Sequence, residues 1–356
     1  MNLNKVASKT QDEEEDFDLS LHQTSVEDAF ASPIIPVDFV LPGLPIGEVG
    51  LLASSGGTGK SFYALQAIFQ VTTGHCIDFN LNARIENTPI ARVMYVSLED
   101  KRAMLMRRLQ TLRSHWSKDD YIHKNIDDIT DLVNIFALAG LGKTLINEKG
   151  NKTKVFNAIV DKARSLKGLR LIVIDTLRRS HDCDENSNGA MSKVLRNFEE
   201  MAEQTGASVL LLHHENKGGA GDAGAGASAI RGASAIVDNA RYAMRLQTMT
   251  LAEAEKRDMN DVERKHWVFA SLEKSNYSPP IAGAWLMRCT GGVLTANEPP
   301  HANSQSTSQS TFAEKAKWKK EQGSKKIKPD EANKKEENSK YQNAKDGELT
   351  AKDIFG

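Results

Sequence analysis

Ser54-Ser55-Gly56-Gly57-Thr58-Gly59-Lys60-Ser61 follows an apolar run, Val49 to Ser54, and opens a segment of helical period, Lys60 to Val71. Glycines let successive backbone N–H groups curl around an anion without Cβ interference, and a helix start adds positive partial charge. A lysine and a hydroxyl residue at that start suit a nucleoside triphosphate, with Lys60 reaching the β- and γ-phosphates and Ser61 holding Mg²⁺. Ser55, Gly56, Gly57, Thr58, Gly59, Lys60, Ser61 and Phe62 are therefore the expected ATP-binding loop. One position departs from the usual pattern, which begins with glycine where this chain has Ser54.

Outward from this loop, apolar strand-like runs alternate with helix-period segments, the signature of an α/β fold around a mostly parallel sheet. The expected strands are Val49 to Ser54, Val93 to Leu98, Val133 to Ala137, Leu171 to Ile174 and Val209 to Leu212. The expected helices are Lys60 to Val71, Ala103 to Arg113, Val155 to Leu166 and Met191 to Glu203. In the last of these, Met191, Val194, Leu195, Phe198, Met201 and Ala202 fall on one face. After Ile230 the texture changes to strand-like stretches without long helices: Ala235 to Leu246, Trp267 to Leu272, and a hairpin from Trp285 to Leu294 turning at Gly291-Gly292. These predict an antiparallel extension of the sheet.

Carboxylates at strand ends add chemistry to the loop. Asp175 closes Leu171-Ile-Val-Ile174, as a Mg²⁺-positioning carboxylate requires, so the expected metal site is Ser61 with Asp175. Glu99-Asp100 follows Val93 to Leu98; Glu99 is read as the group that deprotonates the attacking water, and Asp100 as helix N-terminal charge. His213-His214 ends Val209 to Leu212, where a polar group either feels the γ-phosphate or is a satisfied interior histidine. Successive strand residues face opposite ways, so the two cannot easily share one metal ion.

With 356 residues, 40% hydrophobic, 26% charged and a formal net charge of -1, the chain suits one sizeable core with flexible ends. That balance gives no global pull toward nucleic acid or membrane. Cys76, Cys183 and Cys289 are isolated, without zinc or redox spacing, and read as ordinary thiols of a cytoplasmic protein. No apolar run approaches the roughly 20 residues of a membrane span. Residues 1–22, with the acidic run Asp12 to Asp16, are expected to be disordered. Residues 23–38 read as a short docking arm whose helix is capped by Ser25, residues 39–296 as the ATPase domain, and 297–356 as a disordered Lys/Ser/Gln-rich tail.

Taken together, these residues resemble the RepA family of plasmid-encoded replicative helicases, hexameric DnaB-like motors with a RecA-like P-loop NTPase core. The resemblance runs from Asp38-Phe-Val-Leu-Pro-Gly43 through the P-loop, Glu99-Asp100, Asp175-Thr-Leu-Arg-Arg179, His213-His214, Arg231-Gly-Ala-Ser234, Val237-Asp-Asn-Ala-Arg241 and Lys274-Ser-Asn-Tyr277 to Gly291-Gly-Val-Leu294. Serine at the first loop position is a trait of that group. The resemblance implies a helicase using ATP and Mg²⁺, with Glu99 as catalytic base, Asp175 as magnesium carboxylate, His213 as γ-phosphate sensor and Arg241 as the finger inserted into a neighbour's site. Arg231 and Lys274 match positions that serve sensing or trans contacts in related hexamers and are rivals for that role. Where a DnaB-type motor has a Lys-x-Arg pair, this chain has Lys274-Ser-Asn276, which favours Arg241.

Single-stranded DNA is the implied partner, and two segments suit a channel that threads it. One is Ser180 to Gly189 after Arg178-Arg179; the other is the glycine/alanine run beginning Lys217, Gly218, Gly219. The run also reads as a plain linker, and Arg178-Arg179 as structural. The basic tail around Trp318 either contacts DNA or is a solvated linker, and the tail can also dock a replication-initiation partner. Two other functions suit the same residues: a non-motor ATP-dependent assembly switch, and a recombinase that coats single strands.

Overall fold

The computed structural model describes residues 18–74, 91–116, 129–215, 236 and 239–301. Outside them lie the acidic run Asp12 to Asp16, Cys76, Lys217, Gly218, Gly219, Arg231 and the tail from 302. The chain divides into a unit of residues 1–255 and 259–299 and a second of residues 256–258 and 300–356. In the second, only 256–258, 300 and 301 are described.

Eleven strands are formed by the described residues: β1 (Phe39–Leu41), β2 (Leu44–Pro45), β3 (Val49–Ser54), β4 (Arg92–Ser97), β5 (Val133–Ala137), β6 (Leu169–Asp175), β7 (Ser208–His214), β8 (Tyr242–Thr248), β9 (Trp267–Ser275), β10 (Ala284–Arg288) and β11 (Leu294–Ala296). Strands β1 and β2 pair with each other; the other nine form one sheet in the order β11-β10-β9-β8-β3-β7-β6-β4-β5. Every pair from β8 to β5 is parallel, and β9, β10 and β11 continue antiparallel beyond β8. This is the expected mostly parallel sheet with an antiparallel extension. It is two-sided, which explains why its central strands read as unbroken apolar runs.

Alternation along those runs sends side chains to two cores. Leu171 and Val173 pack on one face with Tyr63, Leu65 and Ile68 of the helix Lys60–Thr73, and with Leu105 and Leu112 of the helix Arg102–His115. Ile172 and Ile174 pack on the other face with Phe156 of the helix Lys154–Ser165 and Phe198 of the helix Asn188–Thr205. All six residues of the expected face, Met191 to Ala202, are buried. That helix begins on the Ser187 side chain, which accepts from the Ala190 N–H, and stops at Gly206, whose left-handed backbone carries an N–H back to the Ala202 carbonyl.

The expected strand from Ala235 begins only at Tyr242. Ile236 and Asn239 are helical, and the Ala240 N–H bonds the Ile236 carbonyl at 3.2 Å, a helical i to i+4 link. The pairing with β3 starts where Tyr242 meets Gly50. On the arm, Ser25 caps the helix Val26–Ala31, accepting from the Asp28 N–H at 3.1 Å, and none of the helix is buried. Among the described residues no helix is long and apolar enough to cross a membrane.

Candidate nucleotide site

Strand β7 lies between β3 and β6, so the P-loop and Asp175 leave the sheet two strands apart, with His213 and His214 between them. Register sets the depth: Ser54 is opposite His214, and Ser97 is opposite Asp175. These carboxyl ends open onto a cavity of about 500 Å³, whose wall includes Gly57, Gly59, Lys60, Ser61 and Phe62 from the loop, with Glu99, Asp175 and His214. Ser55, Gly56 and Thr58 stand off that wall; Ser55 and Thr58 brace the loop through hydroxyls 2.9 Å apart.

Lys60 is buried, and its Nζ donates to the Ser54 carbonyl and to the Ser54 hydroxyl, both at 3.0 Å. Serine at the first loop position thus gives the lysine an acceptor that glycine lacks. Nζ also lies 3.2 Å from His214 Nδ1. Burial pulls the Lys60 pKa down to about 8, against the Asp175, Glu99 and Glu215 carboxylates that hold it up.

Asp175 is 1% exposed. Its Oδ2 accepts from the Tyr95 hydroxyl at 2.5 Å, while Oδ1 is buried with no partner. Burial raises its pKa, against the Tyr95 and Ser61 hydroxyls that lower it. An orphaned carboxylate oxygen beside a serine hydroxyl is a hard-oxygen donor set and fits Mg²⁺. Glu99 stands half-exposed at the end of β4, with Oε2 3.6 Å from His214 Nε2. Asp100 does not cap the helix that follows: its carboxylate pairs with Arg108 at 2.9 Å, and Lys101 holds the cap position without a side-chain bond.

The histidines separate by strand parity. His214 faces the cavity. His213 is buried off the cavity wall, with both ring nitrogens unpartnered. Burial, helped by the charges of His214, Lys60 and His181, lowers the His213 pKa to about 4. His213 is therefore a neutral interior residue, and the side chain set against Lys60 and Glu99 is that of His214.

Four further expected residues lie elsewhere. Arg241 precedes β8 at the amino edge of the sheet, its Nε 3.5 Å from Glu48 and its Nη1 3.1 Å from the Tyr277 hydroxyl. The six residues of β3 separate that edge from the P-loop, about 20 Å at strand rise. Lys274 sits opposite Ala243 on β9, away from the cavity wall. Arg178 and Arg179 are exposed on the four-residue helix after β6, with Arg178 3.6 Å from Glu185.

The rest of the wall was not expected. Met104, Arg107, Arg108 and Thr111 come from the helix Arg102–His115, and Arg288, Gly291 and Gly292 from the β10–β11 hairpin. The first four follow i, i+3, i+4, i+7, a pattern visible in the sequence once a ligand is placed at Glu99. Lys60, Arg107, Arg108 and Arg288 outnumber Glu99 and Asp175 around the cavity, a balance that attracts a polyanion even with Arg108 paired to Asp100.

Residues 16–220, more than half of the chain, match the family described as AAA domain. Two solved structures share the fold. One is described as an ATPase domain (15% identity, TM-score 0.52, 80% of this chain and 100% of that chain). The other is described as the structure of a DnaB-like replicative helicase and its interactions with primase (16% identity, TM-score 0.52, 78% of this chain and 68% of that chain). The fold is that of RecA-like P-loop ATPase domains.

Proposed function

We propose that this chain, which belongs to the AAA-domain family, is an ATP-dependent, ring-forming DNA helicase of the RepA type that acts in plasmid or mobile-element replication. The observation that carries this reading is a cavity lined in one chain by Lys60, Ser61, Glu99, Asp175 and His214, with the candidate finger about 20 Å away on the opposite edge of the sheet. Backbone N–H groups of Gly57 to Ser61 and the Lys60 ammonium hold the phosphates; Ser61 and Asp175 would hold Mg²⁺, which would supply positive charge against that developing on the phosphate oxygens. Glu99 takes the proton as water oxygen bonds the γ-phosphorus and the bond to the β-phosphate oxygen breaks, giving ADP and phosphate. His214, between Lys60 and Glu99, is the γ-phosphate sensor in place of His213. Arg241 enters the site of the next copy, an arrangement that a homo-hexamer closes around a ring.

The arm offers Phe30, Ile34 and Ile35, each more than 80% exposed, as an apolar strip for that neighbouring copy. Single-stranded DNA runs through the ring past Arg178, Arg179 and the segment containing Lys217, Gly218 and Gly219, by phosphate contacts that need no base readout. One of the two similar structures is described as a replicative helicase with its primase interactions. That supports a replication partner, which we assign to the tail from residue 297.

Two outcomes are expected. Wild-type protein displaces the labelled strand of a duplex with a single-stranded overhang when ATP and Mg²⁺ are present, and Lys60→Ala neither binds ATP nor displaces. Intact ATP hydrolysis with no displacement on overhangs of either polarity would favour the non-motor assembly switch, and filaments in place of closed rings would favour the recombinase. The second outcome concerns pH. Phosphates raise the Lys60 pKa above its free value of about 8, so ATP affinity is full below that value and is lost as pH rises through it. Calorimetry should record a roughly tenfold weaker MgATP affinity at about pH 9 than at about pH 7, with proton uptake on binding. A flat profile contradicts a neutralisable Lys60.

A further inference from the structure

The β10–β11 hairpin belongs to the antiparallel extension, three strands out from β3, yet its turn is seated on the P-loop helix. Gln66 of that helix, 1% exposed, donates to the Leu294 carbonyl at 2.7 Å and accepts from the Leu294 N–H at 3.1 Å. Gly291 and Gly292 have φ of +88° and +100°, and a Cβ on them would come within 2.5 Å of Thr111 Cγ2 and 2.8 Å of Phe62 Cε2. Glycine is required twice over at this turn, for backbone conformation and for space. The hairpin is thereby held in a fixed position over the loop.

From this hairpin Arg288 reaches the P-loop itself. Its Nη2 donates to the Thr58 carbonyl at 2.6 Å, and its Nε is buried without a partner. The Thr58–Gly59 peptide is trans, so its carbonyl and N–H point in opposite directions. Holding the Thr58 oxygen from the hairpin side turns the Gly59 N–H the other way. Gly59 has φ of +114°, a conformation that only glycine takes without strain, so the peptide orientation depends on an outside tie. Arg288 also lines the cavity, bringing a permanent positive charge to its wall.

We propose that Arg288 is a positioning residue of the phosphate cradle, acting within its own chain through the Thr58 carbonyl, so that the β10–β11 hairpin is part of the nucleotide site. This rests on reading the cavity as the ATP site. It differs from the role given to Arg241, which serves a neighbour's site and acts on the transition state. Arg288 acts on the free and bound ground states and needs no second copy.

The test is equilibrium binding of MgATP to the full chain, with the nucleotide-free unfolding midpoint measured alongside. Arg288→Met raises Kd by about tenfold or more, as loss of a charge-assisted hydrogen bond implies. Arg288→Lys, which keeps the charge and loses the fork, recovers part of that loss. A merely structural tie would lower the midpoint and leave the Kd of the folded protein unchanged. A folded Arg288→Met protein with wild-type Kd overturns the proposal; if that variant does not fold, Arg288→Gln gives the same decision. Failure of the wild type to bind MgATP would overturn the nucleotide reading itself, whereas a binding wild type beside an unaffected variant removes only the assignment of Arg288.

Discussion

Arg241→Ala protein is expected to bind MgATP within about twofold of wild type and to hydrolyse it about 10³- to 10⁵-fold more slowly, the range that arginine fingers contribute. The physical basis is distance. Arg241 stands at the amino edge of the sheet, and the P-loop leaves from the carboxyl end of β3, so the residue cannot touch the phosphates bound by its own chain. Its present partners hold it lightly: the Glu48 contact is 3.5 Å long and Arg241 is about half exposed. Such surface pairs are worth ~0–1 kcal/mol, so exchanging Glu48 for a phosphate across an interface costs little. Nucleotide binding by calorimetry and steady-state hydrolysis, measured on one preparation, separate the two effects. Normal hydrolysis by Arg241→Ala would move the finger role to Arg231 or Lys274.

Glu99→Gln is expected to lower kcat by about 10²- to 10⁴-fold with KM little changed, because a positioned base contributes in the transition state and little to ground-state binding. Glutamine keeps the shape and can stay beside His214, 3.6 Å away, but cannot accept the proton of the attacking water. Asp100, next in sequence, cannot take over, since its carboxylate is committed to Arg108 at 2.9 Å. Single-turnover hydrolysis by a saturated enzyme reads the chemical step directly. A rate within about threefold of wild type would remove Glu99 from that step.

Strands that are buried on both faces leave the plainest mark on a sequence, and β3, β4, β6 and β7 were legible for that reason. The strand-to-helix context of Gly56 to Ser61 made the phosphate loop legible in the same way. Parity was harder. That His213 and His214 face opposite ways follows from strand geometry, but which one faces the ligand depends on the pairing of Ser54 with His214, a register no local pattern contains. The second half of the cavity wall was hidden by distance along the chain. Gln66 and Leu294 are 228 residues apart, and Arg288 and Thr58 are 230 apart. The glycine pair at 291 and 292 announced a turn, not what the turn would sit on. The helical reading at Ile236 was missed because apolar residues in a short segment suit either period.

Complementation between two inactive variants tests the shared site most directly. Lys60→Ala cannot hold ATP but still offers Arg241, and Arg241→Ala holds ATP but offers no finger. Mixed under conditions that allow subunits to exchange, they should regain hydrolysis up to about a quarter of the wild-type rate, since random head-to-tail pairing joins an intact P-loop to an intact finger at about one interface in four. Recovered activity on mixing, from two preparations each inactive alone, is the result expected of a site built by two copies. Mixed rings as inactive as their parents, with exchange verified by differently labelled subunits, would contradict it.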